Sequence, residues 1–184
     1  MYYSMTVAGL KRDLPICPVN ENLSIAGFVI FGDQELTVAC ARELLKKAPE
    51  YDYIITAEAK GIPLAHEMAR QAGDAKYFVA RKGSKLYMRD TFGVAVRSIT
   101  TDREQHLYLD GADAKLINGK RVLILDDVIS TGESLRAMEE LVKKAGGNIV
   151  GKMAVLAEGG AIERHDITVL APLPLFNPDG TLKN

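Results

Sequence analysis

Residues 122–134 combine two adjacent carboxylates with a short loop of hydroxyl residues, a pattern suited to binding chemistry. Asp126 and Asp127 follow four apolar residues of a predicted buried strand, and the loop at 130–134 precedes a segment with helical periodicity. A helix N-terminus presents unpaired N–H groups and a partial positive charge, so this loop suits an anion such as phosphate. Two carboxylates suit vicinal sugar hydroxyls or a cation such as Mg2+. Together these features predict a phosphorylated pentose as the ligand.

Other phosphate-binding and catalytic motifs do not match this stretch. A P-loop requires Gly-Lys-Ser/Thr at the start of the helix, and residues 130–134 contain no lysine. A dinucleotide fingerprint requires G-x-G-x-x-G, whereas this loop has Gly132 alone. No serine lies in a G-x-S-x-G elbow, which argues against hydrolase chemistry. The remaining alternative is that the aspartates merely cap a helix, but the paired acids and the added hydroxyl residues exceed what a cap needs.

The same stretch resembles the 5-phosphoribosyl-1-pyrophosphate (PRPP) binding motif of the type I phosphoribosyltransferases. In that motif two acidic residues close a hydrophobic strand and a Thr-Gly-x-Ser/Thr loop opens a helix. The resemblance implies that Asp126 and Asp127 act on the ribose as catalytic residues. It also implies that the loop holds the 5′-phosphate through Ser130, Thr131, Gly132, Glu133 and Ser134.

A second concentration of charge follows the predicted strands at 53–57 and 76–80. Pyrophosphate needs several fixed cations, because arginine can bind its oxygens as a fork and lysine as a point charge. Alone, an Arg-Lys-x-x-Lys run is typical of a solvated turn, but its place directly after a strand favours a functional role. Residues 56–65 and 79–86 resemble two pyrophosphate-contacting segments of purine phosphoribosyltransferases. The residues implied are Glu58, Ala59, Lys60, Gly61, Arg81, Lys82 and Lys85.

A base-binding segment is implied by a third resemblance. Residues 28–33 are similar to the hood segment of the adenine enzymes, where a Phe-Arg-Asp sequence stacks on and frames the base. Phe31 and Asp33 match this sequence, and Gly32 stands where the arginine is found. We expect Phe31 on one face of a purine and Ile129 on the other, with ordinary core packing of the aromatic side chain as the alternative. Adenine is favoured, and hypoxanthine, xanthine and guanine stay open.

The resemblance runs in order from about residue 28 to residue 158. It is closest to the adenine, xanthine and archaeal hypoxanthine enzymes. It implies an enzyme of purine salvage that transfers 5-phosphoribosyl from PRPP to a purine base, with Mg2+ as cofactor, unknown metal ligands, and a homodimeric assembly. Two rivals stay open, a PRPP-sensing purine regulator and a pyrimidine enzyme making orotate nucleotide. Residues 1–50 show no basic helix–turn–helix pattern, which argues against the regulator.

The elements that must position these residues predict an α/β fold. Strand, short glycine-containing loop and helix recur at 53–73 and 122–147, which indicates βαβ units and a parallel sheet. Such a sheet brings both loops to its carboxyl edge, where ligands bind in open α/β folds. The resemblance implies the type I phosphoribosyltransferase fold: a central, mostly parallel sheet flanked by helices, a small hood and a flexible antiparallel ribbon. Further predicted elements are a helix at 34–47 capped by Asp33, a helix at 62–71, a core strand at 150–157 and an edge strand at 168–170.

Two segments lie outside this alternation. Residues 1–22 are read as an irregular arm with one short strand at 14–19, and the arm or hood extends to residue 33. Residues 86–109 are read as the ribbon, with strands at 93–99 and 105–109 joined by a mobile turn at 100–104. Such an excursion is either a lid or a simple surface hairpin.

Composition excludes several classes of protein. The 184 residues fit one domain spanning 1–184, and the net charge of -1 argues against a nonspecific nucleic-acid binder. No apolar run approaches the roughly 20 residues that span a bilayer, and no signal-peptide pattern is present. Cys17 and Cys40 lack metal-ligand spacing, so we expect free thiols in a reducing cytoplasm.

Overall fold

Five parallel strands form the central sheet. The computed structural model describes residues 1–97 and 104–183. Every neighbouring pair of strands in this sheet is parallel. This confirms the predicted α/β fold, and the carboxyl ends of all five strands share one edge. In sheet order, the strands are β10 (Thr168–Leu173), β9 (Asn148–Glu158), β8 (Arg121–Ile129), β4 (Tyr53–Ala57) and β5 (Phe78–Ala80).

Helices cover both faces of the sheet and divide the core in two. The first core cluster holds side chains of α1 (Gln34–Leu45) and α2 (Ile62–Ala72), and the second holds side chains of α3 (Gly111–Ile117) and α4 (Glu133–Lys144). Burying helices on both faces explains why the central strands are continuous apolar runs. The Asp33 side chain accepts a hydrogen bond from the Leu36 N–H, which confirms the predicted cap of α1.

The N-terminal segment is more regular than expected. Strands β1 (Tyr2–Val7), β2 (Leu10–Asn20) and β3 (Leu23–Ala26) form an antiparallel meander, and β11 (Leu175–Phe176) adds a fourth strand beside β3. The prediction of an irregular arm with one strand at 14–19 is therefore wrong. Its two prolines misled the prediction, because Pro15 lies at the last pair of the β1–β2 ladder and Pro18 at a register shift, where a missing N–H costs little.

The predicted ribbon is present as an antiparallel pair, β6 (Phe92–Arg97) and β7 (Glu104–Leu109). The turn predicted at 100–104 lies mostly outside the described residues. Helix α3, which the sequence reading missed, follows the ribbon directly and begins after Asp110, whose side chain accepts from the Ala112 N–H. A helix of seven residues, about two turns, gives too short a periodic pattern to recognise from sequence.

Candidate active site

The acidic pair lies inside a strand and not after it. Strand β8 continues through Asp126 and Asp127 to Ile129, whereas the sequence reading ended it at residue 125. Its pairing with β4 stops at Leu125, but its pairing with β9 continues to the end of the strand. The acids therefore lie where β8 loses one neighbour, which opens the sheet edge beside them. Backbone pairing with β9 extends the strand past the point where hydrophobicity ends.

A lysine side chain of the protein forms an ion pair at this acidic end. Lys60 Nζ lies 3.0 Å from Asp127 Oδ2, and the Asp127 N–H donates to Asp126 Oδ1 at 2.9 Å. Asp127 is only 3% exposed, whereas the Lys60 side chain is 47% exposed. Burial and the adjacent charge of Asp127 raise the pKa of Asp126 to about 7. The arrangement offers carboxylate acceptors to hydroxyl groups of a ligand, with a single lysine offsetting their charge.

The phosphate-type loop, residues 130–134, follows β8 directly and leads into α4. Gly132 precedes α4 with a φ of 81°, a conformation that favours glycine, and its carbonyl accepts the Arg136 N–H to begin the helix. The first turn of a helix directs its N–H groups outward from the end of the helix. A cavity of about 40 Å³ lies here, with a lining that includes Asp126, Ser130, Thr131, Gly132 and Ser134. The structure thus brings the acids and the loop together.

The basic segment lies at the neighbouring strand end. Arg81 Nε lies 3.1 Å from Glu58 Oε2, and the Lys82 N–H donates to the same oxygen at 3.1 Å. Arg81 also donates to the Tyr87 hydroxyl at 2.8 Å. The Arg81 guanidinium holds the pKa of Glu58 below its usual range, so Glu58 stays charged and organises the cations around it. The charge of Lys85 acts in the same direction.

The loop between β4 and α2 passes very close to β8. A Cβ added to Gly61 would lie 2.1 Å from Thr56 Oγ1 and 3.4 Å from the Asp126 Cα. Glycine is therefore required here by close approach of the backbone. The peptide bond between Glu58 and Ala59 is cis. In this loop Lys60 lies beside the acids and Glu58 lies beside Arg81.

The two predicted base-binding residues differ in exposure. Phe31 is 48% exposed, but Ile129 is 2% exposed and packs in the second core cluster against α4. Ile129 also lines the small cavity at the loop, and its place on one face of a base stays a prediction. Asp33 binds Arg12 of β2 at 2.6 Å, so a guanidinium from another strand reaches the hood segment that lacks its own arginine.

A larger cavity, of about 500 Å³, lies between the meander and the phosphate-type loop. Its walls include apolar side chains of the meander and of β11, and its polar lining includes Ser130, Thr131, Glu158 and Arg164. Burial raises the pKa of Glu158. Sequence reasoning missed Glu158 and Arg164 as site residues. The available signal was the position of Glu158 at the carboxyl end of a predicted parallel strand.

Two kinds of feature are absent from the residues that the structure describes. No group of three or more His, Cys, Asp or Glu residues in 1–97 and 104–183 is arranged to hold a metal ion by itself. Among the same residues, no helix has the length and apolar character needed to cross a bilayer. Cys17 is exposed, Cys40 is buried, and both are free thiols.

Comparison with known proteins identifies the family. The family model described as "Phosphoribosyl transferase domain" matches residues 31–171. A hypoxanthine/guanine phosphoribosyltransferase of Methanococcus voltae is 34% identical over 133 residues, 72% of this chain and 67% of that protein. An adenine phosphoribosyltransferase of Mycobacterium tuberculosis is 28% identical over 179 residues, 93% of this chain and 77% of that protein.

Solved structures show the same fold. The adenine phosphoribosyltransferase of Thermoanaerobacter pseudethanolicus has a TM-score of 0.70 at 20% identity, covering 86% of this chain and 95% of that one. The adenine phosphoribosyltransferase of Saccharomyces cerevisiae, crystallised with an imino-altritol bisphosphate and adenine, has a TM-score of 0.66 at 22% identity, covering 86% and 92%. With its parallel sheet and its family match, the chain belongs to the phosphoribosyl transferase domain family and has the type I phosphoribosyltransferase fold.

Proposed function

We propose that this protein is a purine phosphoribosyltransferase, with adenine as the favoured base. It would transfer the 5-phosphoribosyl group of PRPP to a purine nitrogen, giving a nucleoside 5′-monophosphate and pyrophosphate. The observation that carries the proposal is the acidic pair Asp126 and Asp127, which adjoins a glycine-opened helix N-terminus and is bridged to Lys60 at 3.0 Å. The carboxylates can accept hydrogen bonds from the ribose hydroxyls, and the backbone amides can bind a phosphate, so the site suits a ribose 5-phosphate.

The reaction breaks the C1′–O bond of PRPP, and the electron pair leaves with pyrophosphate. A base nitrogen then bonds to C1′ and loses its proton. Asp126 and Asp127 would hold the ribose hydroxyls and place negative charge near the developing oxocarbenium ion. Lys60, Arg81, Lys82 and Lys85 would stabilise the leaving group, because its charge grows as the bond breaks. The ribbon, at 86–109, would limit water access and so suppress hydrolysis of PRPP.

Magnesium fits the donor set of this chain. Mg2+ is commonly held by one or two carboxylates together with substrate phosphate oxygens and waters. Asp126 and Asp127 offer two adjacent carboxylates of this kind. When bound, the ion would offset charge on the pyrophosphate group. Arg81 and the lysines would share that task.

The larger cavity is our proposed location for the base. It adjoins Ser130 and Thr131 of the phosphate-type loop, it has apolar walls, and its volume is about 500 Å³. Apolar walls with a few polar groups are typical of sites for small heterocycles. Glu158 offers an acceptor there to an N–H group of the base. Phe31 would stay at the periphery of this site as a stacking residue.

A panel of radiolabelled bases with PRPP and Mg2+ tests the proposal. We expect adenine to be converted to its nucleotide with stoichiometric release of pyrophosphate, and the other purines to react more slowly. Faster reaction of hypoxanthine or guanine would change the base but keep the class of enzyme. Conversion of orotate alone would contradict the purine assignment, and no conversion of any base would contradict the enzyme itself.

Assembly and location complete the proposal. We expect a homodimer, which light scattering on the purified protein would measure directly. We expect a cytoplasmic location, which agrees with two free thiols. The single-domain organisation over 1–184, with a hood at 1–33, would show as one cooperative unfolding transition.

A further inference from the structure

The guanidinium of Arg164 lies directly over the phosphate-type loop. Arg164 follows the 3₁₀ helix Gly159–Glu163, which leaves the end of β9. A Cβ added to Gly132 would lie 2.7 Å from Arg164 Nη1. The arginine also lines the 500 Å³ cavity together with Ser130 and Thr131, so it approaches the loop from the side of that cavity. A cationic side chain therefore adjoins the loop although the loop itself contains none.

A chain of ion pairs fixes the direction of this guanidinium. Arg164 donates from Nε to Asp166 Oδ1 at 2.9 Å and from Nη2 to Asp166 Oδ2 at 2.8 Å. This bidentate contact uses one edge of the fork and leaves Nη1 at the loop. Lys152 of β9 donates to Asp166 and, at 2.9 Å, to Glu139 of α4. Arg164 and Lys152 hold the pKa of Asp166 well below its usual range.

Two other cations near the proposed reaction centre, Lys60 and Arg81, are engaged elsewhere. Lys60 is paired with Asp127 of the acidic pair, and Arg81 is paired with Glu58 after β5 and β4. A phosphate monoester carries about -1.5 to -2 charges at neutral pH. Backbone amides and hydroxyls supply only partial charges to offset this. A guanidinium with one free edge at the loop supplies a full charge in a suitable geometry.

We propose that Arg164 is a binding residue for the 5′-phosphate and that Asp166 is its positioning residue. The inference rests on the proposed function, since it assumes that the loop takes the phosphate of a ribose 5-phosphate. It adds to the loop a cation from a segment that follows a different strand. It also assigns a purpose to the Lys152–Asp166 pair, which otherwise only joins two neighbouring elements.

Calorimetric titration with ribose 5-phosphate and, separately, with pyrophosphate tests the assignment. Arg164→Gln should weaken ribose 5-phosphate binding by about 10- to 100-fold, the range for a lost charge-assisted contact. Pyrophosphate binding should stay unchanged. Arg164→Lys should lie between the two, because it keeps the charge but loses the fork, and Asp166→Asn should weaken binding by a smaller factor. The advantage of wild type over Arg164→Gln should shrink as salt increases.

Arg121→Gln is the matched control. Arg121 is also paired bidentately with an aspartate, Asp52, but at the opposite edge of the sheet. Its loss should leave ribose 5-phosphate binding unchanged. Wild-type affinity of the Arg164→Gln variant for ribose 5-phosphate would overturn the proposal, as would an equal loss of affinity for pyrophosphate. Thermal unfolding of Arg164→Gln and Arg164→Lys distinguishes a lost contact from misfolding. The base-panel assay on wild type tests the proposed function independently.

Discussion

The acidic end of β8 and the basic segment after β5, residues 81–85, lie at one edge of the sheet and carry opposite charges. Each already contains one residue of the opposite sign, Lys60 among the acids and Glu58 among the cations. They differ in burial, because Asp127 is 3% exposed whereas the Arg81 and Glu58 side chains are 29% and 25% exposed. A buried carboxylate requires its partner for stability, whereas a solvated pair is worth little. Lys60 therefore stabilises a buried carboxylate, whereas the pair between Glu58 and Arg81 mainly orients two partly exposed side chains.

The largest expected effect is at the buried carboxylate. Asp127→Asn should lower phosphoribosyl transfer by about 100-fold, because it removes the charge that faces the ribose and leaves Lys60 without its partner. Steady-state kinetics with adenine and PRPP measures this. The control is Asp113→Asn, which removes an aspartate paired with Lys76 at 2.6 Å on α3, away from the site. Near-normal transfer by the Asp127 variant would refute the role assigned to this residue.

Two glycines, one in each region, test which backbone is crowded. Gly61→Ala should lower the free energy of unfolding by about 1–3 kcal/mol, since its Cβ would lie 2.1 Å from buried Thr56 Oγ1. Gly83→Ala, in the basic segment, meets nothing within 4 Å and should be close to neutral. Urea denaturation compares the two variants. Equal effects would contradict the difference in packing between the regions.

The acidic end should also show a pH dependence. Because folding raises the pKa of Asp126 from 3.8 to about 7, the native state holds more protons than the unfolded state between these values. The free energy of unfolding contributed by this group therefore falls as pH rises through that window, by at most about 1.4 kcal/mol per pH unit. Asp126→Asn should remove this contribution. An unchanged slope in urea melts between pH 5 and 7 would contradict it.

The smallest expected effect is at the solvated pair. Glu58→Gln should change the free energy of unfolding by less than about 1 kcal/mol, because the pair with Arg81 is partly exposed. Its effect should appear in the KM for PRPP instead, as the Arg81 fork loses its orientation. At high salt, the difference in free energy of unfolding between the variant and wild type should become still smaller, because salt screens the ion pair. A destabilisation as large as that of Gly61→Ala would break the comparison.

The central sheet was predictable because its strands are apolar runs followed by loops with glycine. The helix at 62–71 shows this well, since Pro63 lies in its first turn and Gly73 ends it with a φ of 79°. The meander was not predictable, because backbone pairing tolerates prolines at the end of a ladder. The Asp33 cap was predicted, but its pairing with Arg12 joins distant parts of the sequence, which no local pattern encodes.

Only those parts of the candidate site that are contiguous in the sequence could be predicted. The acids and the phosphate-type loop are contiguous in sequence, so local spacing indicates them. The residues Glu158 and Arg164 come to the loop only through the β8–β9 pairing. The length of β8 depends on its pairing with β9 and not on the hydrophobicity of β8 itself, so the sequence pattern ended the strand too early, at residue 125.

The fourth strand of the meander sheet has a consequence for biosynthesis. Strand β11 pairs with β3 from the far end of the domain, and the Phe176 ring packs 5.2 Å from the Tyr3 ring. As the nascent polypeptide leaves the ribosome, the first three strands emerge early but lack this edge partner. Their sheet stays incomplete until residue 176 has been translated. The apolar wall of the larger cavity, which the meander and β11 form, is therefore among the last parts of the enzyme to assemble.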